Sequence, residues 1–454
     1  MKVTLLGHAS VLVAMEGATC VMDPVFFDPF EEGAVTSCPR RRVFPAKLPP
    51  IDTVIVSHRH PDHFDLPSLA RLPRDADVIV PGDALLVYAL DRLGFRRIHP
   101  VAPMAPILSD RFELYPTRSE AAVREFGMVF RDSAGVFWNQ VDSPLAPATI
   151  ATVKERFGAV DLLFAMYASQ NFDYFDGAAA GFPYETHRQN LASALAIEPR
   201  AVAPAAAGFR FCGAHAWLNA FLFPIGRERF VADLKQLGFA GEALVMNPGD
   251  EFAIAAGRVE HRPGASSVAV MDEDDSAAIA FDPTAPVPPL VDPNPEGASV
   301  AALRQTLDPF VAGLTAYAQD GGNTDKLVPM YRRRGASYAL AVVFPDGAWD
   351  HVRFEFHAEG ARVTRGAAAG DVVHRIAASA LAAWIEHRKN LFYVRAYSRR
   401  HQAVYDVTDG PDGAGVRPRP LPDLLMHYVL NVMPGSERAA KTLVDRQLAA
   451  LGKG

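Results

Sequence analysis

Little in this 454-residue chain suits an oxidising compartment: its three cysteines, Cys20, Cys38 and Cys212, are too few and too scattered for a disulfide framework. A reducing, cytoplasmic setting is therefore expected. An excess of positive charge is also missing. Lys and Arg number 45 against 52 Asp and Glu, a formal net charge of −7, so there is no general polyanion-binding surface and no nucleic-acid partner is expected. No apolar run reaches the ~18 residues of a membrane span. The start, MKVTLLGHASVLVAM, is an apolar stretch broken by Gly7, His8 and Ser10. With no small-residue cleavage site after it, it reads as two strands and a turn, not a signal peptide. No internal repeat is present. What remains is 49% hydrophobic and 21% charged residues, a globular balance in a chain long enough for two or three domains.

Short β-branched runs alternate with helical patterns over the first 260 residues. Residues 3–6, 11–15, 20–22, 53–56, 78–80, 128–131, 136–139, 161–164 and 201–204 read as strands. Residues 66–72, 82–93, 150–157 and 185–196 carry helical spacing, the second stopping at Gly94. This mixture predicts an α/β (α+β) layered fold. Residues 261–299 change character, with an acidic run at 272–275 and the Pro-rich segment DPTAPVPPLVDPNPEG, and read as a linker. Residues 300–454 then form a second, smaller α+β domain, with a helix at 303–317, strands at 338–344 and 352–356, and a long amphipathic helix at 372–387 that includes Trp384. That last pattern is similar to small sterol-carrier-like domains. The arginines of residues 331–334 and 398–400 either meet an anionic ligand or form a solvated basic face.

The chemistry concentrates in Ser57-His58-Arg59-His60-Pro61-Asp62-His63, directly after the strand at 53–56. Extended residues two apart point the same way, so His58 and His60 present imidazoles to one point. Pro61 ends the strand, and the turn brings Asp62 and His63 toward an adjoining point. Four donors within six residues suit zinc or iron.

This HxHxDH pattern after a buried strand resembles the metallo-β-lactamase-fold superfamily, which implies a four-layer αββα sandwich over residues 1–260 with metals at one edge. Gly7-His8-Ala9-Ser10 and Met22-Asp23-Pro24 resemble the opening hairpins of its lactonase and phospholipase-like branch, and Asn139-Gln140-Val141-Asp142 falls where the family places a bridging aspartate. A further similarity, to the CMP-N-acetylneuraminate hydroxylase-like branch, includes Ala180-Gly181-Phe182-Pro183, Ala207-Gly208-Phe209 and Asn247-Pro248-Gly249-Asp250. The departures are specific. A Rieske centre needs Cys-x-His and Cys-x-x-His pairs; only Cys212-Gly213-Ala214-His215 has either spacing, so no iron–sulfur cluster is encoded. The hydrolases' third histidine is absent from Tyr115 to Glu125, and their late one from Ala203-Pro204-Ala205-Ala206.

By the resemblance, one metal takes His58, His60 and Asp142 and the other Asp62, His63 and Asp142, with Asp62, His63 and Asp142 carrying the catalysis. His8 is implied to lie beside the ligands. Glu120 or Glu125 can add a carboxylate where the third histidine is missing, and His187 or His215 is a candidate for the late ligand. The expected cofactors are two divalent metal ions, with iron favoured and zinc or manganese as alternatives. Two histidines and a carboxylate form the ligand set of non-haem iron oxygenases. The expected function is thus a metal-dependent oxidoreductase, a (di)iron oxygenase (monooxygenase) acting on a small-molecule or carrier-borne substrate with an external electron donor. The alternative is a hydrolase of a phosphodiester, lactone or thioester that uses a metal-activated water.

Overall fold

Runs of β-branched and aromatic residues such as Val11–Val13 and Met128–Phe130 are buried on both faces, so they must be sandwiched between layers. The computed structural model describes residues 1–167, 170–171, 181–320, 327–409, 416–433 and 436–452. These described residues divide into two compact units, one within Met1–Asn171, Phe182–Asp282 and from Val444 onward, the other within Pro283–Leu443. The chain is thus an α/β protein with a further sheet-containing region. Among the described residues no helix is long and apolar enough to cross a membrane.

The first unit holds two large sheets. The eight-stranded sheet runs Arg258–Arg262, Glu251–Ala255, Lys2–Gly7, Ser10–Met15, Ala18–Met22, Thr53–Ile55, Asp77–Pro81, Arg97–Val101. The seven-stranded sheet runs Glu242–Ala243, Ala201–Ala205, Leu162–Met166, Gly135–Asn139, Phe126–Asp132, Phe112–Arg118, Ile107–Leu108. Their facing sides share one core, in which Val3, Val11, Val13 and Ile55 meet Phe126, Phe130, Phe137 and Phe164. The opposite side of the first sheet packs Val54, Val56 and Val78 against helix residues Leu69, Leu86 and Leu90. The opposite side of the second packs Val129, Trp138 and Val202 against Val153, Ala194 and Phe230. The result is helix, sheet, sheet, helix.

Ala18–Met22, Thr53–Ile55, Asp77–Pro81 and Arg97–Val101 pair in parallel, as do Gly135–Asn139, Leu162–Met166 and Ala201–Ala205. Their carboxyl ends lead into Asp23, His58, Asp142 and Ala206, and in open parallel sheets such ends make the natural binding crevice.

Part of the stretch read as a linker is ordered in this unit. Ala269–Glu273 pairs antiparallel with Arg40–Val43. Arg42 Nη2 sits 2.7 Å from Asp272 Oδ1 and Arg40 Nη1 2.9 Å from Glu273 Oε2, so the acidic run meets its cations on the neighbouring strand. The Pro-rich remainder lies with the second unit, where Asp292 Oδ2 accepts the Ser379 backbone N–H at 2.8 Å.

The second unit has a five-stranded sheet in the order Gly360–Arg365, Trp349–His357, Ser337–Val343, Val372–Ala377, Ser398–Gln402. Leu303, Leu307, Phe310 and Leu314 lie on one stripe of the helix Val300–Gln319 and enter its core. The expected long helix at 372–387 is instead a strand, Val372–Ala377, followed by a helix, Ala378–Ile385. Val372, Val373 and Ile376 are β-branched, and parallel pairing with Ser337–Val343 overrides the helical spacing. Arg400 is neither a substrate contact nor a solvated charge: its Nε lies 3.3 Å from Asp423 Oδ2 with both side chains buried. His374 Nδ1 is 2.8 Å from the same carboxylate oxygen. Burial works to raise the Asp423 pKa, but His374 and Arg400 together hold it well below the usual carboxylate range.

Removing Asp423 would strand a buried guanidinium. Asp423→Ala is therefore expected to cost about 3–5 kcal/mol of stability, read as a lower denaturation midpoint by circular dichroism. Arg400→Met in the same background should recover part of that loss.

Candidate metal centre

The strand Ala18–Met22 ends in Asp23, held at φ +48. A non-glycine residue in this region is strained and persists only where its surroundings fix it. Here the fixing is visible. Asp23 Oδ1 accepts the Ser57 backbone N–H at 2.7 Å, and Oδ2 accepts the Ser57 hydroxyl at 2.7 Å and lies 2.9 Å from His63 Nδ1. One buried carboxylate thus ties the end of one strand to the start of the histidine segment and aims the His63 ring. His63 closes a helical turn, its N–H donating to the His60 carbonyl at 2.9 Å. Arg59 clamps the same segment through a bidentate pair to Asp83 at 2.5 and 2.7 Å.

Asp142 comes from the other sheet. Gln140 shapes its loop: its side chain accepts from the Met166 N–H at 3.1 Å and donates to the Ser143 carbonyl at 3.0 Å, while Val141 takes φ +55. Gly127 lies directly beneath, where a Cβ would come within 2.7 Å of Thr117 Oγ1 and 3.1 Å of the Gln140 carbonyl. The close approach of backbone to loop therefore requires glycine.

Two groups of three converge. His8, Asp62 and His63 form one, and His58, His63 and Asp142 the other, with donor atoms within 4.8 Å of one another in each. His63 Nε2 lies 3.2 Å from Asp142 Oδ2 and 3.6 Å from Asp62 Oδ2, and His8 Nε2 lies 3.2 Å from Asp62 Oδ2. Neither His63 Nε2 nor His8 Nε2 has a hydrogen-bond partner, although both are buried. Buried imidazole nitrogens without partners, facing carboxylates across a shared gap, fit a divalent cation better than a hydrogen-bond network.

The electrostatics agree. Burial, and then the neighbouring His63 and His60, push His58 well below its ordinary pKa, which keeps it neutral as a metal ligand must be. For His63 burial works downward, but Asp62, Asp142 and Asp23 outweigh it and raise the pKa well above normal. Asp62 is held low because His63 and His8 overcome its burial.

The structure treats the remaining expected residues differently. His60 is exposed and in neither group; its Nδ1 lies 2.9 Å from His58 Nε2. His8 stands in a donor group and not merely beside one. Glu120 is exposed, its backbone N–H donating to the Pro144 carbonyl at 2.9 Å. Glu125 is buried and accepts the Ser119 hydroxyl at 2.6 Å. Burial, joined by the nearby Asp142 charge, pushes its carboxyl up to about 7 despite the Ser119 bond. His187 pairs with Asp233 at 2.8 Å between two helices, and His215 lies on the turn Gly213–Leu218; neither enters a donor group. Ala180 lies outside the described residues.

Asp23 and Ser57 had no role in the sequence reading. The signal available was Asp23 itself, a carboxylate between a buried strand and Pro24, but nothing local shows that it meets His63 forty positions later.

Residues 2–108 match the model of the β-lactamase superfamily domain. This part of the chain is thus similar to β-lactamase superfamily domains. Among curated proteins, N-acyl-phosphatidylethanolamine-hydrolyzing phospholipase D 1 of Caenorhabditis elegans is 42% identical over 72 residues, 15% of this chain and 20% of that protein. The chain thus matches about a fifth of that relative's length. Among solved structures, CmlA, a diiron β-hydroxylase from Streptomyces venezuelae, is 21% identical with a TM-score of 0.38, covering 53% of this chain and 52% of that one. An isothiocyanate hydrolase from Delia radicum gut bacteria is 17% identical with a TM-score of 0.42, covering 56% and 100%.

Asp23 orients a ligand without touching the gap itself. Asp23→Asn is expected to weaken metal binding about 10–100-fold, measured by competition with a chromophoric chelator. Arg59→Gln, on the outer side of the same segment, should weaken it far less.

Proposed function

We propose that the chain is a dinuclear metal-dependent oxidoreductase, an oxygenase acting on a small or carrier-borne metabolite with electrons from an external donor. The observation that supports this reading is the carboxylate content of the site. Asp62 and Asp142 stand among His8, His58 and His63, and the buried Glu125 lies close enough to Asp142 to feel its charge, in the loop where the family's hydrolases use histidine. Oxygen-rich donor sets with imidazoles suit iron or manganese. Iron held there would supply the redox chemistry for activating O₂, with electrons passed to it from the external donor.

The protein's own residues do the rest. His58, His63, Asp62 and Asp142, with His8, hold the ions. Asp23 keeps His63 Nδ1 engaged, so that Nε2 is the atom offered to the metal. Glu125, with its raised pKa, can carry a proton near neutral pH beside Asp142. The surrounding apolar walls, Phe30 and Phe209 against the His8 ring, exclude water from the reacting centre.

A hydrolase is the second reading, favoured by the 42% identity over 72 residues to a phospholipase D-type hydrolase. Elemental analysis of protein purified in air separates the two. Iron at about two equivalents with reductant-dependent O₂ uptake is the expected result. Stoichiometric zinc without O₂ uptake, together with chelator-sensitive turnover of phosphodiesters or lactones, would transfer the assignment to the hydrolase.

Within either chemistry the ligands are distinguishable. His63 belongs to both donor groups, so His63→Ala is expected to empty both ions, whereas His58→Ala should leave about one equivalent bound. Asp142→Ala should abolish turnover and lower metal content with a smaller effect on melting, because the residue ends a loop and fills no core. Metal content by mass spectrometry and melting temperature on the same preparations provide the check.

A further inference from the structure

The turn Pro204-Ala205-Ala206-Ala207-Gly208 follows the strand Ala201–Ala205 and passes under His8. A Cβ on Gly208 would lie 3.2 Å from the His8 Cα. This turn offers no side chain longer than proline's ring, and it leaves a small hollow of about 20 Å³ beside His8, lined by His8, Tyr167 and the turn itself. A second hollow of about 240 Å³ adjoins it. The two share Cys38, Tyr167, Ala207 and Arg227 in their walls, so the outer hollow leads toward the His8 side of the metal groups. The outer one has room for the body of a small organic ligand and the inner one for a water-sized group.

The charge along this passage is unbalanced. Asp275 is occupied by Arg210, whose Nε lies 2.6 Å from its Oδ2. Arg227 is more buried than Arg210, its side chain 11% against 21% exposed, yet its carboxylate neighbours lie toward solvent: Glu228 Oε1 at 3.6 Å, with a side chain 65% exposed, and the exposed Asp274, which feels its charge. Its other contacts are neutral: the Met246 carbonyl at 2.8 Å, Asn247 Oδ1 at 3.0 Å and Ser276 Oγ at 3.3 Å. A buried guanidinium whose carboxylate neighbours are exposed, in the wall of a largely apolar hollow that also holds Glu228 and Ser276, can donate to an anion. The rest of the wall, Phe223, Ile225, Ile279 and Phe281, favours a hydrocarbon body.

We infer that this passage is the substrate pocket and takes an organic acid with an apolar body, its carboxylate held by Arg227 and its far end directed at the His8, Asp62 and His63 group. The assignment of a reaction there rests on the metal-dependent function proposed above; the pocket and its anion preference do not.

Calorimetric titration of the full chain with octanoate and with neutral octanamide, metal-loaded and metal-depleted, tests this. Octanoate is expected to bind both forms, about ten-fold more tightly than octanamide. Arg227→Gln should remove that preference and Arg227→Lys should retain most of it, while Ala207→Leu, by filling the passage, should weaken both ligands. Melting temperature and metal content show whether each variant is folded and loaded. The inference is overturned if wild-type protein does not bind octanoate at millimolar concentration, if Arg227→Gln binds it as well as wild type, or if binding vanishes on metal removal. The last result would place the carboxylate on the metals. Protein that binds octanoate through Arg227 but holds no metal would instead overturn the proposed function and leave the pocket standing.

Discussion

The Asp23 carboxylate is the joint on which the site depends. It accepts from the Ser57 backbone and hydroxyl and meets His63 Nδ1, all at 2.7–2.9 Å and all buried. A charged group at that depth is tolerated only when every lone pair has a partner. That same requirement makes the joint rigid. It sets the end of Ala18–Met22 against the segment after Thr53–Ile55 and selects the tautomer and direction of the His63 ring. Arg41 adds a second buried charge nearby, donating to the Leu6 carbonyl at 2.6 Å and the Val25 carbonyl at 2.6 Å, which braces the loop carrying His8 against the loop carrying Asp23.

Around this joint the sandwich serves as a positioning device. Each sheet supplies donors that its own strands could not bring together alone: His8, Asp62 and His63 come from the first, Asp142 from the second. The aromatic core between the sheets, with Phe137, Phe164 and Phe252 in edge-to-face contact, keeps their separation constant. Carboxylates collected this way raise the His63 pKa against its burial, whereas at Glu125 burial is the first cause of the rise and the Asp142 charge adds to it.

The second unit uses buried charge differently. Asp423 gathers His374 and Arg400, and the Tyr338 hydroxyl adds a contact to it at 3.3 Å. Here one carboxylate joins three strands to a helix start. The contrast with the first unit is one of charge: one carboxylate meets an imidazole and a guanidinium here, whereas His63 lies among Asp23, Asp62 and Asp142.

Much of this was legible in the sequence. Period-two and buried β-branched runs located the strands around residues 53–56, 78–80, 136–139 and 201–204, because local pattern reflects which faces are covered. The dense donors at 58–63 pointed to a metal site, since three histidines and an aspartate within six residues have little other use. Spacing placed His58 and His60 together, yet the turn beginning at His60 carries His63 inward and leaves His60 exposed, a choice made by hydrogen bonds from this segment to Asp23, forty positions before His63. His8 and Glu125 could be nominated from sequence and Glu120 and His215 could not be dismissed, because burial and direction are set only when the sheets stack. The strand Val372–Ala377 had helical spacing as well as β-branched residues, and pairing with Ser337–Val343 decided between them. Composition and motif pointed to metal-dependent chemistry; which donors face one another, and that Arg227 has only exposed carboxylates beside it, were decided by long-range packing that no local pattern encodes.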